Sequence, residues 1–218
     1  MAVHHPATIV PTKLELLQAW VPHQPWVGRA DASVLTRLGS YRFDDPDGEV
    51  GVETHLLGTV DGQVLQVPLT YRGAPRRGAD DSLITTMTHT TLGDRWIYDG
   101  CQDPVYVSTL VTAILTGGRE ADLYAATDAG LVLEAATTHV RGSGTWSAVN
   151  VADASAIVVV HHESTTEITA GRAEAAVTLT ISRVMSSVDT ARDERPSLTG
   201  TWPGQETPVV LATVDRAS

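Results

Sequence analysis

Alternating apolar and polar positions are clearest in residues 175–185, "AAVTLTISRVM". Val177, Leu179, Ile181 and Met185 fall on one side, and Thr178, Thr180, Ser182 and Val184 on the other. A period of two is that of a half-buried strand. Similar stretches predict strands over 34–43, 49–57 and 63–71, joined by the turn signals "DDPDG" and "DG". Connections this short favour an antiparallel meander. Pro68 has no N–H to give to a ladder, so the third strand should lie at an edge or carry a bulge there. The stretch "YRGAPRRGADD" reads as a polar loop, followed by extended segments over 83–89 and 92–98.

Two segments carry helix signals instead. In "PTKLELLQAWVP", Thr12 can cap the first turn and Glu15 completes a capping box. Leu14, Leu17 and Val21, with Leu16 and Trp20, form a broad apolar face, and Pro22 ends the run. In "QDPVYVSTLVTAILTGG", Asp103 is the cap, Pro104 takes the first helical position, and Gly117 or Gly118 is the stop. Val and Thr are mediocre helix formers, so packing of Val107, Leu110, Val111 and Ile114 must hold this helix. Beyond Arg119 the sequence is all strand signals, over 131–138, 145–151, 156–160, 176–185 and 208–214. The polar "SSVDTARDERPS" forms a loop before the last of them. The expected fold class is α+β, dominated by curved antiparallel β-sheet with a few flanking helices. A boundary within 118–128 divides it into residues 1–120 and 121–218.

Composition narrows the function classes. The protein has 218 residues, 42% of them hydrophobic, which is enough to bury a core without disulfides. A formal net charge of −11 disfavours nucleic acid and polybasic contact with a membrane surface. Lys13 is the one lysine and Cys101 the one cysteine. An intrachain disulfide and a Cys-rich metal site are thereby ruled out. No apolar run approaches the roughly 20 residues of a membrane span, and the N-terminus lacks the pattern of a secretory signal. A cytoplasmic protein is the expectation.

Candidate chemistry is sparse. His4-His5 and His161-His162 are adjacent pairs, whose side chains point apart on a strand and so chelate one ion poorly. Asp94, Asp99 and Asp103 could serve acid–base work or hold magnesium, but Asp103 is already used as a cap. An enzyme built on Asp99, Asp103 and His89 is one reading to test. Arg72, Arg76 and Arg77 could grip an anion, with Trp96 beside them as an aromatic face. Cys101 lies between Asp99 and Asp103, which raise a thiol pKa. No nucleophile elbow, phosphate loop or dinucleotide fingerprint is present, and neither cofactor nor metal is expected.

The runs "VLQVPLTYRGAP" (64–75) and "LGDRWIYDGCQDPVYVSTLVTAI" (92–114) resemble the N-terminal cap of bacterial maltokinases, which are aminoglycoside-phosphotransferase-like kinases. The carrying residues are Gln66, Val67, Pro68, Leu69, Thr70, Tyr71 and Arg72, then Tyr98, Asp99, Asp103 and Pro104. "LELLQAWVPHQPWVGR", with Gln24 and Trp26, is similar to the opening helix of that cap. The resemblance implies a curved antiparallel sheet with flanking helices that supplies no catalytic group. These motif positions are therefore expected to be structural.

Residues 156–185 resemble, more distantly, the strands that open a kinase small lobe. Thr180 then falls where such a lobe carries its lysine, and Arg183 is a poor substitute for a point charge on phosphate. "LTGTWPGQETPVVLATVDRAS" (198–218) resembles the strands leading to the interlobe hinge. The catalytic aspartate and metal-binding residues of phosphoryl transfer have no counterpart. An ordinary strand in an unrelated β domain is the alternative for 175–185.

The resemblance implies a stand-alone, non-catalytic interaction or regulatory protein in α-glucan or trehalose metabolism. Its partner would be a kinase or a glucan or trehalose enzyme. The alternative is a nucleotide- or sugar-binding protein with a pocket between the two parts, lined by Trp96, Trp146 or Trp202 beside the Arg72 loop.

Overall fold

The structure is a computed structural model that describes residues 2–4, 8–127, 130–144, 157–171, 176–185 and 195–216. The expected strand over 145–151, Trp146, His5 and most of the loop over 186–197 lie outside the described residues. The protein opens with β1 (Ala2–His4) and β2 (Ile9–Val10), then α1 (Lys13–Trp20). Next come β3 (Thr36–Phe43), β4 (Val50–Gly58), β5 (Val64–Arg72), β6 (Leu83–His89), β7 (Gly93–Asp99) and α2 (Pro104–Thr116). The later strands are β8 (Leu123–Thr127), β9 (Gly130–Leu133), β10 (His139–Gly142), β11 (Ile157–His161), β12 (Thr165–Ala170) and β13 (Val177–Ser182). β14 (Val184–Met185), β15 (Ser197–Trp202) and β16 (Gln205–Arg216) complete the order.

Turn chemistry sets up the first sheet. Gly48 and Gly62 take φ of +73° and +82°, closing the β3–β4 and β4–β5 connections that make the expected antiparallel meander. The sheet runs β2-β6-β7-β5-β4-β3, with β14 also on β5. A second, antiparallel sheet runs β10-β15-β16-β13-β12-β11, and a small ribbon runs β1-β8-β9.

The predicted caps hold both helices. Thr12 and Glu15 form the reciprocal capping box of α1, while Leu16 and Leu17 face inward and Leu14 is exposed, contrary to expectation. The α-helix passes into a 3-10 turn at Val21–His23 that contains Pro22. Asp103 caps α2 and Gly117, at φ +70°, ends it in the left-handed conformation. Helix α2 buries residues on all sides, from Tyr106 to Leu115, because it contacts β4 on one side and β10, β15 and β16 on the other. That packing explains how a helix rich in Val and Thr holds its shape.

One hydrophobic core joins Tyr41, Val52 and Leu56 of the first sheet, α2, and Leu179, Ile181, Leu211 and Val214 of the second. A smaller core lies on the opposite face of the first sheet, under α1 and Trp26.

Pro68 corrects the expectation of an edge or a bulge. It sits mid-strand in β5, opposite Thr54, with no register shift against β4. On the other side of β5, β14 covers Val64 and Leu65, the Gln66 N–H donates to the Arg183 carbonyl, and β7 begins only at Leu69. Alternate residues direct their N–H the same way, so the Pro68 nitrogen faces the gap between β14 and β7. Gly100 packs into that gap. A Cβ on Gly100 would stand 3.1 Å from the Pro68 carbonyl carbon.

Candidate functional site

The motif residues gather around two nodes, the first of them at the junction of the two sheets. Gln66 lies fully inside it. Its carbonyl oxygen accepts from the Tyr41 hydroxyl at 2.9 Å, and its amide nitrogen donates to the Ser182 and Leu211 carbonyls, both at 2.9 Å. One side chain thus ties β5 to β3 and to the last residue of β13 and the middle of β16.

Asp103 is the second node. Arg72 grips it with two hydrogen bonds, Nε at 2.8 Å and Nη2 at 2.7 Å, and the Thr70 hydroxyl donates to it at 2.8 Å. The Val105 N–H donates to the same carboxylate as the cap of α2, whose first residue is Pro104. Burial works against ionisation here, but the Arg72 hydrogen bonds and charge, with Thr70 and Val105, hold the carboxyl below its usual range. A depressed carboxylate pKa stabilises the fold above the unfolded value near pH 4, and that stabilisation is lost as pH falls through the folded value. Asp103→Asn should therefore flatten the acid limb of stability below about pH 4. It should also cost about 2–4 kcal/mol at neutral pH, measured by urea unfolding, because Arg72 loses its charged partner.

The remaining motif groups are similarly engaged. The Tyr98 hydroxyl accepts from the Arg76 N–H at 2.8 Å, and the Arg76 guanidinium lies 5.7 Å from the Tyr98 ring centre. Arg76 also donates to the Gln102 carbonyl at 2.8 Å. Asp99 accepts from the Cys101 N–H and lies 3.6 Å from Arg183 Nη1. Of the set read as an anion grip, Arg72 and Arg76 thus hold internal acceptors, Arg77 is exposed on its loop, and Trp96 is half-buried in β7 opposite Arg72. The proposed catalytic trio does not assemble. His89 pairs with Gly93 at one end of β7 and Asp99 lies at the other, roughly 20 Å away at strand rise. The His161 ring bonds the Thr166 hydroxyl, and the described residues contain no group of three or more potential metal ligands.

Two features escaped the sequence reading. Arg183 follows β13 with no exposure at all. Its Nη1 donates to Cys101 Sγ at 2.9 Å and its guanidinium lies 3.8 Å from the Trp26 ring centre. The signal was its parity, since it falls two places after Ile181 on the buried side of the alternation. Burial pushes the Cys101 thiol well up despite Arg183, so the thiol is inert at neutral pH.

The second feature is a buried polar network on the α1 face of the first sheet. Lys13 pairs with Glu53, and His55 Nε2 lies 3.8 Å from Glu53 and 3.1 Å from the Tyr71 hydroxyl. Burial opposes ionisation of Glu53, yet His55, Lys13 and Arg42 hold it well below its usual range. Burial drives His55 down to about 4, against the pull of Glu53. Unfolded histidine titrates near 6.5, so the unfolded state binds the extra proton between pH 6.5 and 4 and stability falls across that window on acidification. His55→Gln should remove about 3 kcal/mol of this pH-dependent loss, seen as a shallower decline of urea midpoint between pH 7 and 4.

A cleft of about 260 Å³ opens between the two sheets, lined by Leu38, Val64, Met185, Trp202, Pro203 and Val209 among others. Of the two described tryptophans expected at a pocket, Trp202 lines this cleft; Trp96 and the Arg72 loop do not, and Trp146 lies outside the described residues. No helix among the described residues is long and apolar enough to cross a membrane.

Residues 20–103 match the family described as the maltokinase N-terminal cap domain, a stretch that runs from the end of α1 to the cap of α2. It contains both motif halves except Pro104. No curated protein matches this sequence. Residues 20–103, which carry the motif residues from Gln24 to Asp103, are thus similar to a maltokinase N-terminal cap domain.

Proposed function

We propose that the protein is a non-catalytic interaction or regulatory protein related to the maltokinase cap and linked to α-glucan or trehalose metabolism. The observation that supports this most is the use of the cap's own polar groups. Gln66, Arg72, Tyr98, Asp99 and Asp103 all hold partners within the protein, which leaves them to build the fold rather than meet a substrate. In this reading residues 1–120 are the cap-like part and residues 121–218 a degenerate small lobe. Thr180, at the position of the lobe's lysine, lies half-exposed in β13 between Glu167 and Thr213. No lysine follows Lys13, whose ammonium is held by Glu53. The partner by analogy is a kinase or a glucan or trehalose enzyme in the cytoplasm. Incubation with Mg-ATP and maltose or glucose should yield no phosphorylated sugar. Sustained turnover would overturn the reading.

The cleft beside Trp202 favours a second reading, a protein that binds a nucleotide or sugar between its two parts. Fluorescence quenching on titration with maltose or ATP, abolished in Trp202→Leu, would favour it over the first.

A further inference from the structure

The β8–β9 hairpin stands apart from the packing described above. None of its residues belongs to either hydrophobic core. In β9, Leu131, Val132 and Leu133 are 51%, 52% and 56% exposed, although successive strand residues point to opposite faces. Both faces of β9 are therefore about half exposed, and no described residue covers either. Among the described residues the strand also lies at the edge of its ribbon, and it carries no charge, proline or bulge, the usual devices that keep an edge from pairing.

We propose that β9 pairs with β9 of a second copy, in antiparallel register about a two-fold axis at Val132. The backbone supports this register. The Glu134 N–H donates to the Leu123 carbonyl, so Glu134, Val132 and Gly130 direct their polar backbone groups toward β8. Those of Leu131 and Leu133 point outward. Antiparallel pairing with Val132 on the axis sets each Leu131 opposite a Leu133 of the other copy, and all four residues then exchange N–H and C=O bonds.

Side chains agree with the backbone. Four leucines cluster on one face of the joined ribbon, and two valines meet on the other. Glu134, the acidic residue that directly follows the strand, comes opposite Gly130 rather than another carboxylate. Two copies of net charge −11 can thus approach along an uncharged seam. An interface this small gives a dimer with a dissociation constant on the order of micromolar.

Sedimentation of the 218-residue protein over a concentration series tests it. A monomer–dimer equilibrium is expected, and Val132→Asp should weaken it at least tenfold by placing two carboxylates about 4.5 Å apart by backbone. Val132→Cys keeps the test independent of that variant's folding. Paired cysteines on the axis meet disulfide geometry, and Cys101 is buried, so mild oxidation should give a covalent dimer. Leu131→Cys, which faces Leu133 instead, should cross-link far less. A wild-type monomer up to about 100 µM, a dimer insensitive to Val132→Asp, or failure of Val132→Cys to cross-link would each overturn the proposal.

Discussion

Arg183→Ala is expected to destabilise the fold by about 3–5 kcal/mol, the cost of removing one partner from a buried charge pair and leaving a hole. Arg183 is fully buried against Trp26, Cys101 and Asp99, and is the single residue at which the backbone leaves β13 and enters the first sheet as β14. Alanine keeps the backbone bonds from the Ser164 and Gln66 positions but leaves Asp99 facing a void. Arg183→Met should cost less, about 2–3 kcal/mol, because it fills the hole but still leaves Asp99 without its cation. Methionine refills the space over Trp26, and two arginine nitrogens, Nε and Nη2, find no acceptor among the described residues. In the double variant Asp99→Asn, Arg183→Met the losses should fall short of additive, since each change relieves the other. Urea unfolding followed by tryptophan fluorescence reads all three. A loss below about 1 kcal/mol for alanine would mean that the guanidinium is not the tie described.

Gln66→Ala carries the second large effect, about 3–5 kcal/mol. The substitution removes three buried hydrogen bonds at about 1 kcal/mol each and strands the Ser182 and Leu211 carbonyls and the Tyr41 hydroxyl. Gln66→Glu is the sharper version. Its carboxylate would face two carbonyl oxygens with no donor to offer them, so it should unfold at least as readily as alanine despite its matching size. If glutamate is tolerated within about 1 kcal/mol, the amide does not bridge the sheets as assigned.

The features legible in the sequence were those with local causes. The capping box at Thr12 and Glu15, the Asp103 cap and the "DG" turns depend on residues a few places apart, and each took the expected form. The alternation of β13 was legible for the same reason. Short strands such as β1, β2, β8 and β10 left no such mark, because two to five residues hold too little pattern and their pairing is set by distant segments. Strand β12, "TTEITA", was missed because Thr166 occupies a buried place that the period assigns to an apolar residue.

Pro68 shows the limit most clearly. The rule about its missing N–H was sound, but its resolution depends on β14 arriving from over a hundred residues later and covering only part of β5. Arg183 stood on the buried side of a visible pattern. A charged side chain is ordinarily assigned to solvent, and its stacking on Trp26, with Cys101 and Asp99 beside it, explains the exception. The cap motif itself was legible as a set of residues, whereas their mutual contacts, which bear on function, required the fold.

The most direct test of a non-catalytic cap-like protein is calorimetric titration with Mg-ATP. The account predicts no heat of binding at millimolar nucleotide, because no lysine follows Lys13 and the junction residues hold one another. Binding in the micromolar range would contradict it and show that a nucleotide site survives in the second half of the protein.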